Sequence, residues 1–404
     1  MSGAWAGPLA GLKVLDLTRV LAGPYATQSL GDLGAEIWKV EPPGGDETRA
    51  FPPFLGGESH YFLALNRSKK SLVIDLKQEE GKDLLRRLVA KADILVENYR
   101  PGVMDRLGLG YEALSALNPG LIQCSISGFG QTGPLKDKPA FDIVTQAMSG
   151  ALSVNGEKGR PPVKLGLPLG DMVGGVYGPI AILAALHERH ATGRGRQIDI
   201  SLHDGLMGML GYLAQLGFIT GEDPEPVGSM HPTVVPYGSY PASDGHVIVA
   251  VLAENFWARF CAALDRPELA DDPRFATLPD RKANREVLEA MIAEVMRTRT
   301  VAEWEQRLEA HDVPHAPILG VRAALEHPHS SAREMVVTAD HPSAGEIRMT
   351  GRPMKFPGAS QPPLSAPPLL GQHTAEVLSD ELGCSADEIA GLSDRGVILD
   401  GHPG

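Results

Sequence analysis

The chain is 43% hydrophobic and 22% charged, a composition typical of a globular protein. Its 404 residues are too many for one ordinary domain. Its net charge of -13 argues against binding to nucleic acid or to an anionic membrane. Cys124, Cys261 and Cys384 form no C-x-x-C pair, which disfavours a disulfide framework or a metal site and favours the cytoplasm. Residues 1–8 show no secretory signal, and the uncharged run 205–221 is too short to span a bilayer, so a buried helix is predicted there.

Strands and helices alternate along the first part of the chain. Apolar segments predict strands at 12–17, 35–40, 71–76, 93–97 and 121–126, and helices at 25–33 and 79–91. This order predicts an α/β fold with a Rossmann-like, mostly parallel sheet and helices on both faces. The large domain that carries the sheet is expected to begin with residues 1–225.

The character of the chain changes after residue 221. Residues 223–226 form a predicted linker, and 237–249 a predicted hairpin with a turn at Asp244-Gly245. Together with helices predicted at 255–264, 285–297 and 301–311, they indicate a smaller α+β domain over residues 226–325. Residues 326–404 are expected to complete the large domain, partly through the extended proline-rich segment 356–368.

Ligands of parallel α/β sheets bind beyond the carboxyl ends of the strands. Here those ends carry polar and turn-forming segments at 18–24, 41–45, 98–102 and 127–131. A dinucleotide-binding fold is one alternative, because Glu41 stands where a ribose hydroxyl would be bound. The first strand-to-helix turn, however, has a single glycine, Gly23, where the dinucleotide fingerprint needs three.

Residues 164–175 place one carboxylate, Asp171, among small residues before an apolar helical segment. Glycines let a substrate approach the backbone, and N–H groups at a helix start stabilise a developing negative charge. An ordinary helix N-cap is the alternative interpretation of this Asp.

Further segments at 15–24, 33–41, 66–71, 96–102, 166–175 and 367–374 extend over nearly the whole chain. In combination they resemble the class III CoA-transferases, a family that also contains the alpha-methylacyl-CoA racemases. The resemblance is greatest to the succinyl-CoA-dependent dicarboxylate transferases. It implies acyl-CoA and a carboxylic acid as substrates, no tightly bound cofactor, and an interlocked homodimer.

The resemblance also implies covalent catalysis, in which the Asp171 carboxylate attacks the donor thioester and becomes an aspartyl-CoA thioester. Gly174 and Gly175 are expected to admit the substrate. Racemases of the family have a histidine before the Asp of the segment 139–144, whereas this chain has Phe141 there. A phenylalanine cannot abstract an α proton, so transfer is favoured over the alternatives, a racemase or another CoA-binding protein of this fold. Phe141 is expected either to line the acyl pocket or to pack in the core.

The contacts with CoA implied by the resemblance involve Val20, Leu21, Ala22, Asp75, Leu76, Lys77, Asn98, Tyr99, Arg100, Arg106 and Lys138; each basic residue could instead be an ordinary surface charge. The chain departs from formyl-CoA transferases at Leu21, at Pro42 and in the loop 249–255, which disfavours oxalate and formate as substrates. A dicarboxylate presents a second carboxylate that needs a cation, and the candidates are Arg49, Arg67, Lys69 and Lys70.

Overall fold

A computed structural model describes residues 6–359 and 361–401 and divides the chain into two compact units. The first unit comprises Met1–Leu152, Lys164–Asp223 and His329–Gly404, within the described residues, and the second comprises Ser153–Val163 and Pro224–Pro328. Ser153–Val163 had been placed in the large domain from the sequence. It belongs to the smaller unit because its backbone pairs there, with Gly228 donating to the carbonyl of Gly156 at 2.7 Å.

The first two segments of the first unit alternate strands and helices. In chain order these are β1 (Lys13–Asp16), α1 (Ala22–Asp32), β2 (Glu36–Glu41), β3 (Phe54–Leu55), β4 (Glu58–Ser59), α2 (His60–Leu65), β5 (Lys69–Ile74), α3 (Glu79–Val89), β6 (Ile94–Glu97), α4 (Val103–Arg106), α5 (Tyr111–Leu117), β7 (Ile122–Ser127), α6 (Asp142–Met148), α7 (Leu169–Thr192), β8 (Gln197–Ser201), α8 (Leu202–Met209) and α9 (Tyr212–Thr220).

The second unit is a smaller α+β assembly, built on a three-stranded antiparallel sheet in the order β11-β10-β9. The hairpin of β9 and β10 turns at Asp244 and Gly245, as the sequence predicts. Its elements are β9 (Tyr237–Pro241), β10 (His246–Ala250), α10 (Glu254–Ala263), α11 (Leu278–Ala283), α12 (Arg285–Met296), α13 (Val301–Ala310), β11 (His315–Pro317) and α14 (Val321–Glu326).

The chain then supplies its last segment. Its elements are α15 (Pro328–Ala332), β12 (Val336–His341), β13 (Gly345–Thr350), α16 (Thr374–Leu382), α17 (Ala386–Asp394) and β14 (Ile398–Leu399). β14 pairs antiparallel with β5, so the end of the chain completes the sheet that its beginning starts.

A seven-stranded sheet is the frame of the first unit, in the order β14-β5-β2-β1-β6-β7-β8, and every pairing except that of β14 is parallel. Because successive strand residues point to opposite faces, each face has its own core. Leu15 and Trp38 pack with leucines of α3, whereas Val14 and Ile37 pack with α1 and α7. The mixed α/β fold with a parallel central sheet is therefore confirmed.

α7 is the longest helix of the described chain and the one that positions Asp171. By length and composition alone it could cross a membrane. It packs along α1 and buries Val173 and Ile182, as core helices of globular proteins also do. Its opposite side exposes apolar side chains, among them Ile180, which is 54% exposed.

The prediction of one buried helix at 205–221 is wrong. Two helices, α8 and α9, occupy this run, and they are separated at Gly211, where φ is 54°. A positive φ favours glycine and cannot continue a right-handed helix. No residue of α9 is buried, and Phe218 is 81% exposed.

Candidate active site

Asp171 lies in the first turn of α7, at the carboxyl edge of the parallel sheet. The residue before the helix, Pro168, provides no side-chain cap. Instead, the carboxylate of Asp142, the first residue of α6, accepts a hydrogen bond of 2.7 Å from the backbone N–H of Gly170. The start of α7 is thus held by a side chain from another helix, and Asp171 is the next residue.

A cavity of about 230 Å³, here called the Asp171 pocket, adjoins this carboxylate. Its walls are the loop after β1, the residues after β6 and β7, and the segment before α6. From the residues singled out in the sequence it gathers Val20, Leu21, Ala22, Asn98, Tyr99, Arg100, Lys138, Phe141 and Asp171. Phe141 is 72% exposed, so the alternative that it packs in the core is wrong.

A second cavity of about 320 Å³, here called the Lys77 pocket, lies at the ends of β2 and β5 and contains three further expected residues, Asp75, Leu76 and Lys77. Arg19, Glu47 and Tyr99 line both cavities, so the two adjoin. They form one groove that reaches Asp171 at one end. Arg106 lies outside both linings, exposed on the short helix α4.

The electrostatic environment distinguishes Asp171 from an ordinary surface acid. Burial, and then the negative charge of Asp142, raise the pKa of Asp171 to about 7. Burial and the charges of Asp171 and Asp142 also raise the pKa of Tyr61. Strongly raised pKa values at a cleft are typical of functional carboxylates.

The loop after β1 is held by buried charges. Val20 has a φ of 66°, a conformation that a β-branched residue rarely adopts. The ammonium of Lys39 donates to the carbonyl of Thr18 at 2.8 Å and to Asp46 at 3.0 Å. Asp46 in turn accepts a hydrogen bond of 3.4 Å from the backbone N–H of Val20. Lys39 and Asp46 together thus fix the backbone on both sides of Arg19.

Gly174 and Gly175 do not open a path for substrate, contrary to the expectation from the sequence. A Cβ at position 174 would lie 2.4 Å from Cδ2 of Leu202, and one at position 175 would lie 2.7 Å from Cδ1 of Tyr25. Both glycines are buried and let α7 approach α8 and α1 closely.

The four cations expected to meet a distal carboxylate lie elsewhere. Arg49 forms a two-point ion pair with the buried Glu41, at 2.7 and 2.8 Å, and Arg67 pairs with Asp32 at 2.6 Å. Lys69 is buried and donates to Asp16 at 2.9 Å. Lys70 bridges two surface glutamates, Glu36 and Glu376. None of the four lines the Asp171 pocket.

Two residues at the site were missed from the sequence. Asp142 stands in a segment noted only for the preceding Phe141, and its contact with Gly170 joins residues 28 positions apart, for which a single sequence gives no signal. Lys136 is an exposed residue that lines the Asp171 pocket together with Lys138. Two lysines in one loop at a strand end could have suggested it.

Across residues 6–359 and 361–401, the structure brings together no group of three His, Cys, Asp or Glu side chains able to hold a metal ion.

The chain is similar to known proteins over most of its length. Residues 9–374 match the model of CoA-transferase family III. The chain is 37% identical over 393 residues to the succinyl-CoA:glutarate CoA-transferase of Homo sapiens, an alignment that covers 97% of this chain and 90% of that protein. It is 41% identical over 358 residues to the acetyl-CoA:oxalate CoA-transferase of Acetobacter aceti, covering 88% of this chain and 91% of the relative.

Among solved structures, a CAIB/BAIF family protein from Brucella suis matches with a TM-score of 0.84 and 38% sequence identity, covering 93% of this chain and 100% of that one. The family model, the curated relatives and the shared fold agree over almost the whole length. The chain therefore belongs to CoA-transferase family III and is a CoA-transferase.

Proposed function

We propose that this CoA-transferase moves CoA from succinyl-CoA to a dicarboxylic acid through a thioester on Asp171. The observation that carries the proposal is the placement of one carboxylate of raised pKa at the end of a groove lined by residues expected to contact CoA. The nucleotide of CoA is assigned to the Lys77 pocket, and its thioester to the Asp171 pocket.

The reaction balances without a proton or an electron from outside. An oxygen of the Asp171 carboxylate bonds to the thioester carbonyl carbon, the C–S bond breaks, and CoA leaves as a thiolate. The thiolate attacks the aspartyl carbonyl of the mixed anhydride, and the donor acid leaves as a carboxylate. The acceptor carboxylate then reverses the sequence. Asp171 must be ionised to attack. Because its pKa is raised to about 7, the transfer rate is expected to rise as pH increases through this value and to level off above it.

The choice of a dicarboxylate rests on the relatives and on the pocket. The human relative is named for glutarate and the Acetobacter one for oxalate, and both are dicarboxylic acids. We assign the distal carboxylate of the acceptor to Lys136 and Lys138, which line the Asp171 pocket with exposed side chains. Leu21 and Pro42, which replace polar residues of formyl-CoA transferases, favour acids of about four to six carbons over oxalate.

We further propose that a second copy of the chain covers the apolar side of α7, giving the interlocked homodimer of the family. Val176, Ile180 and Leu183 are all at least 38% exposed and follow one another at helical spacing. A patch of this kind is typical of an interface. The variant Ile180→Glu is expected to lower the mass measured by sedimentation from that of a dimer to that of one chain. An unchanged mass would contradict the proposal that this side of α7 forms the dimer interface.

The covalent step is tested by trapping. Wild-type protein is incubated with succinyl-CoA and then with hydroxylamine or borohydride, and the modified peptide is identified by mass spectrometry. Modification of Asp171, absent from Asp171→Ala, is the expected result. Substantial transfer activity in Asp171→Ala would contradict the covalent route.

The acceptor is tested with acids of equal length. We expect glutarate to exceed valerate in kcat/KM by about tenfold or more. Lys136→Ala or Lys138→Ala should reduce kcat/KM for glutarate and leave it nearly unchanged for valerate. A lysine that contacts a CoA phosphate would instead lower both values alike. Lys91→Ala is the matched control, because Lys91 is exposed and precedes β6, at the edge of the sheet opposite to the two pockets. Equal use of the two acids by wild-type protein would contradict the dicarboxylate assignment.

A further inference from the structure

Asp142 is the one charged side chain of α6 that is buried, and its contacts are specific. One carboxylate oxygen accepts the N–H of Gly170 at 2.7 Å, and the other accepts Nε2 of Gln146 at 2.6 Å. The side chain of Asp142 is thus fixed from two sides, by the start of α7 and by its own helix. Its residue is 8% exposed, and its charge acts directly on Asp171.

We infer that Asp142 is a positioning residue for the transfer reaction: its carboxylate fixes the first turn of α7 through Gly170 and places a negative charge beside the Asp171 carboxylate. This inference rests on the proposed role of Asp171 as the nucleophile. The geometric part follows from the hydrogen bond to Gly170, which constrains the residue immediately before Asp171.

The electrostatic part follows from the charges before and after acylation. In the free protein, two carboxylates lie close together in a partly buried place, so the ionised form of Asp171 is destabilised and its pKa is raised. In the anhydride and in the thioester, the side chain of Asp171 carries no charge. Repulsion from Asp142 is therefore relieved as the covalent bond forms, which favours the intermediate. A more basic carboxylate is also the better nucleophile.

Other charged groups face Asp171 from the surrounding elements. Tyr61 of α2 interacts electrostatically with Asp171. The charged residues that line the Asp171 pocket are Glu47, Arg19, Arg100, Lys136 and Lys138. Among the described residues, none of these basic side chains forms an ion pair with Asp171 or Asp142. Asp142 is accordingly the charged group that, after burial, raises the pKa of Asp171.

The decisive variant is Asp142→Asn, which removes the charge and keeps the shape. The substituted amide can still accept from Gly170. Its NH₂ group can donate to Oε1 of Gln146, which is buried without a partner, once the Gln146 amide turns over. The hydrogen bonds on both sides are thereby retained, and the charge alone changes.

The expected result is a shift of the acid limb of the kcat/KM profile by about one pH unit toward lower pH, because removal of the nearby negative charge lowers the pKa of Asp171. On the alkaline plateau, kcat should fall several-fold because the ionised nucleophile is less basic. Thr145→Val, which removes a neutral hydroxyl from α6, should leave the acid limb in place. An acid limb unmoved in Asp142→Asn would overturn the electrostatic role.

A second measurement needs no activity and separates this inference from the proposed function. The effect of Asp171→Asn on the free energy of unfolding is measured against pH, once with Asp142 present and once in the Asp142→Asn background. With Asp142 replaced by asparagine, the effect of Asp171→Asn on the free energy of unfolding is expected to change over a lower pH range than with Asp142 present. If this pH range does not move, Asp142 does not control Asp171, whatever the trapping experiments show. If it moves but Asp171→Ala remains active, the covalent function fails and the electrostatic coupling stands.

Discussion

Two groups of charges in the first unit, one buried and one partly buried, differ in how they are balanced. Beneath the loop after β1, two acids and two lysines alternate: Lys69 pairs with Asp16 at 2.9 Å, and Lys39 with Asp46 at 3.0 Å. At the start of α7, two acids, Asp142 and Asp171, lie together, and no basic side chain of the described chain forms an ion pair with either.

The carboxyl pKa values of the two groups are shifted in opposite directions. Burial would raise the pKa of Asp16, but Lys69 and Lys39 outweigh it and hold that pKa below its usual range. Burial likewise acts to raise the pKa of Asp46, but the charge of Lys39 and the hydrogen bonds from Thr48 and Lys39 together hold it below its usual range. For Asp171, burial and the neighbouring Asp142 act together. The balanced group stabilises the fold of the binding loop. The unbalanced pair destabilises the ionised form of Asp171, the carboxylate proposed to react.

The largest expected effect is on the unbalanced pair. Asp171→Asn should lower kcat/KM for transfer by about 10³-fold or more, because the nucleophile is lost. At neutral pH the same variant should unfold at a higher denaturant concentration than wild type, since the repulsion with Asp142 disappears. Asp171 is not the N-cap of α7, which is Pro168. Activity lost together with stability gained is the result that separates a functional carboxylate from one that only stabilises the first turn of α7 through the helix dipole, whose loss would lower stability.

The second effect concerns the balanced group. Lys39→Met should lower the free energy of unfolding by about 3–5 kcal/mol, because it leaves the buried Asp46 without a counter-charge and the carbonyl of Thr18 without its donor. Urea unfolding followed by circular dichroism measures the change. Lys70→Met is the control, since its pairs with surface glutamates are partly exposed and should contribute less than about 1 kcal/mol. Equal costs for the two variants would contradict the contrast.

The fold and the site differ in how far the sequence predicts them. The five parallel strands proposed from the sequence lie within two residues of their predicted bounds, because alternation of apolar residues is a local signal. Asp171 was singled out for a similar reason, since its glycine-rich setting is contiguous in sequence. The run 205–221 was predicted as one helix because its composition is uniform, and the break depends on the backbone at Gly211 alone.

Pairings between distant residues were not predictable. Arg67 was expected at the substrate, but the fold pairs it with Asp32, 35 positions earlier in the chain. Arg49 was expected there too, and it pairs with Glu41, which is only eight positions earlier but lies across the turn after β2. Gly174 appeared to be an open position, and its actual neighbour, Leu202, comes from another helix. A basic residue or a glycine in a single sequence reveals its type but not the partner that determines its role.

The third prediction uses pH to distinguish the two groups. The pKa of Asp171 is raised in the folded chain from 3.8 to about 7, so in this interval the folded chain holds a proton that the unfolded chain releases. The contribution of Asp171 to the free energy of unfolding should therefore fall as pH rises from about 4 to about 7. We expect a fall of about 2 kcal/mol, less than full burial would give, because the pocket admits water.

This contribution is isolated by subtracting the pH curve of Asp171→Asn from that of wild type, because burial also raises the pKa of Glu97 to about 7 and affects both proteins equally. Asp16 and Asp46 have lowered pKa values, so the stability they contribute is lost as pH falls through those values, the opposite sign. A difference curve that is flat between pH 4 and 7 would contradict the raised pKa of Asp171.

The smallest expected effect comes from one hydrogen bond in the balanced group, between a neutral hydroxyl and a charged carboxylate. The buried hydroxyl of Thr48 donates to Asp46 at 2.8 Å, beside the Thr48 backbone N–H at 3.0 Å. Thr48→Val keeps the size of the side chain and removes this donor, which should cost about 1.5 kcal/mol in urea unfolding because the acceptor is charged. The loss also raises the pKa of Asp46, so acid unfolding should begin at a higher pH. Thr48→Ser retains the hydroxyl and should remain closer to wild type in both measurements; if valine were tolerated as well as serine, Lys39 alone would suffice to balance Asp46.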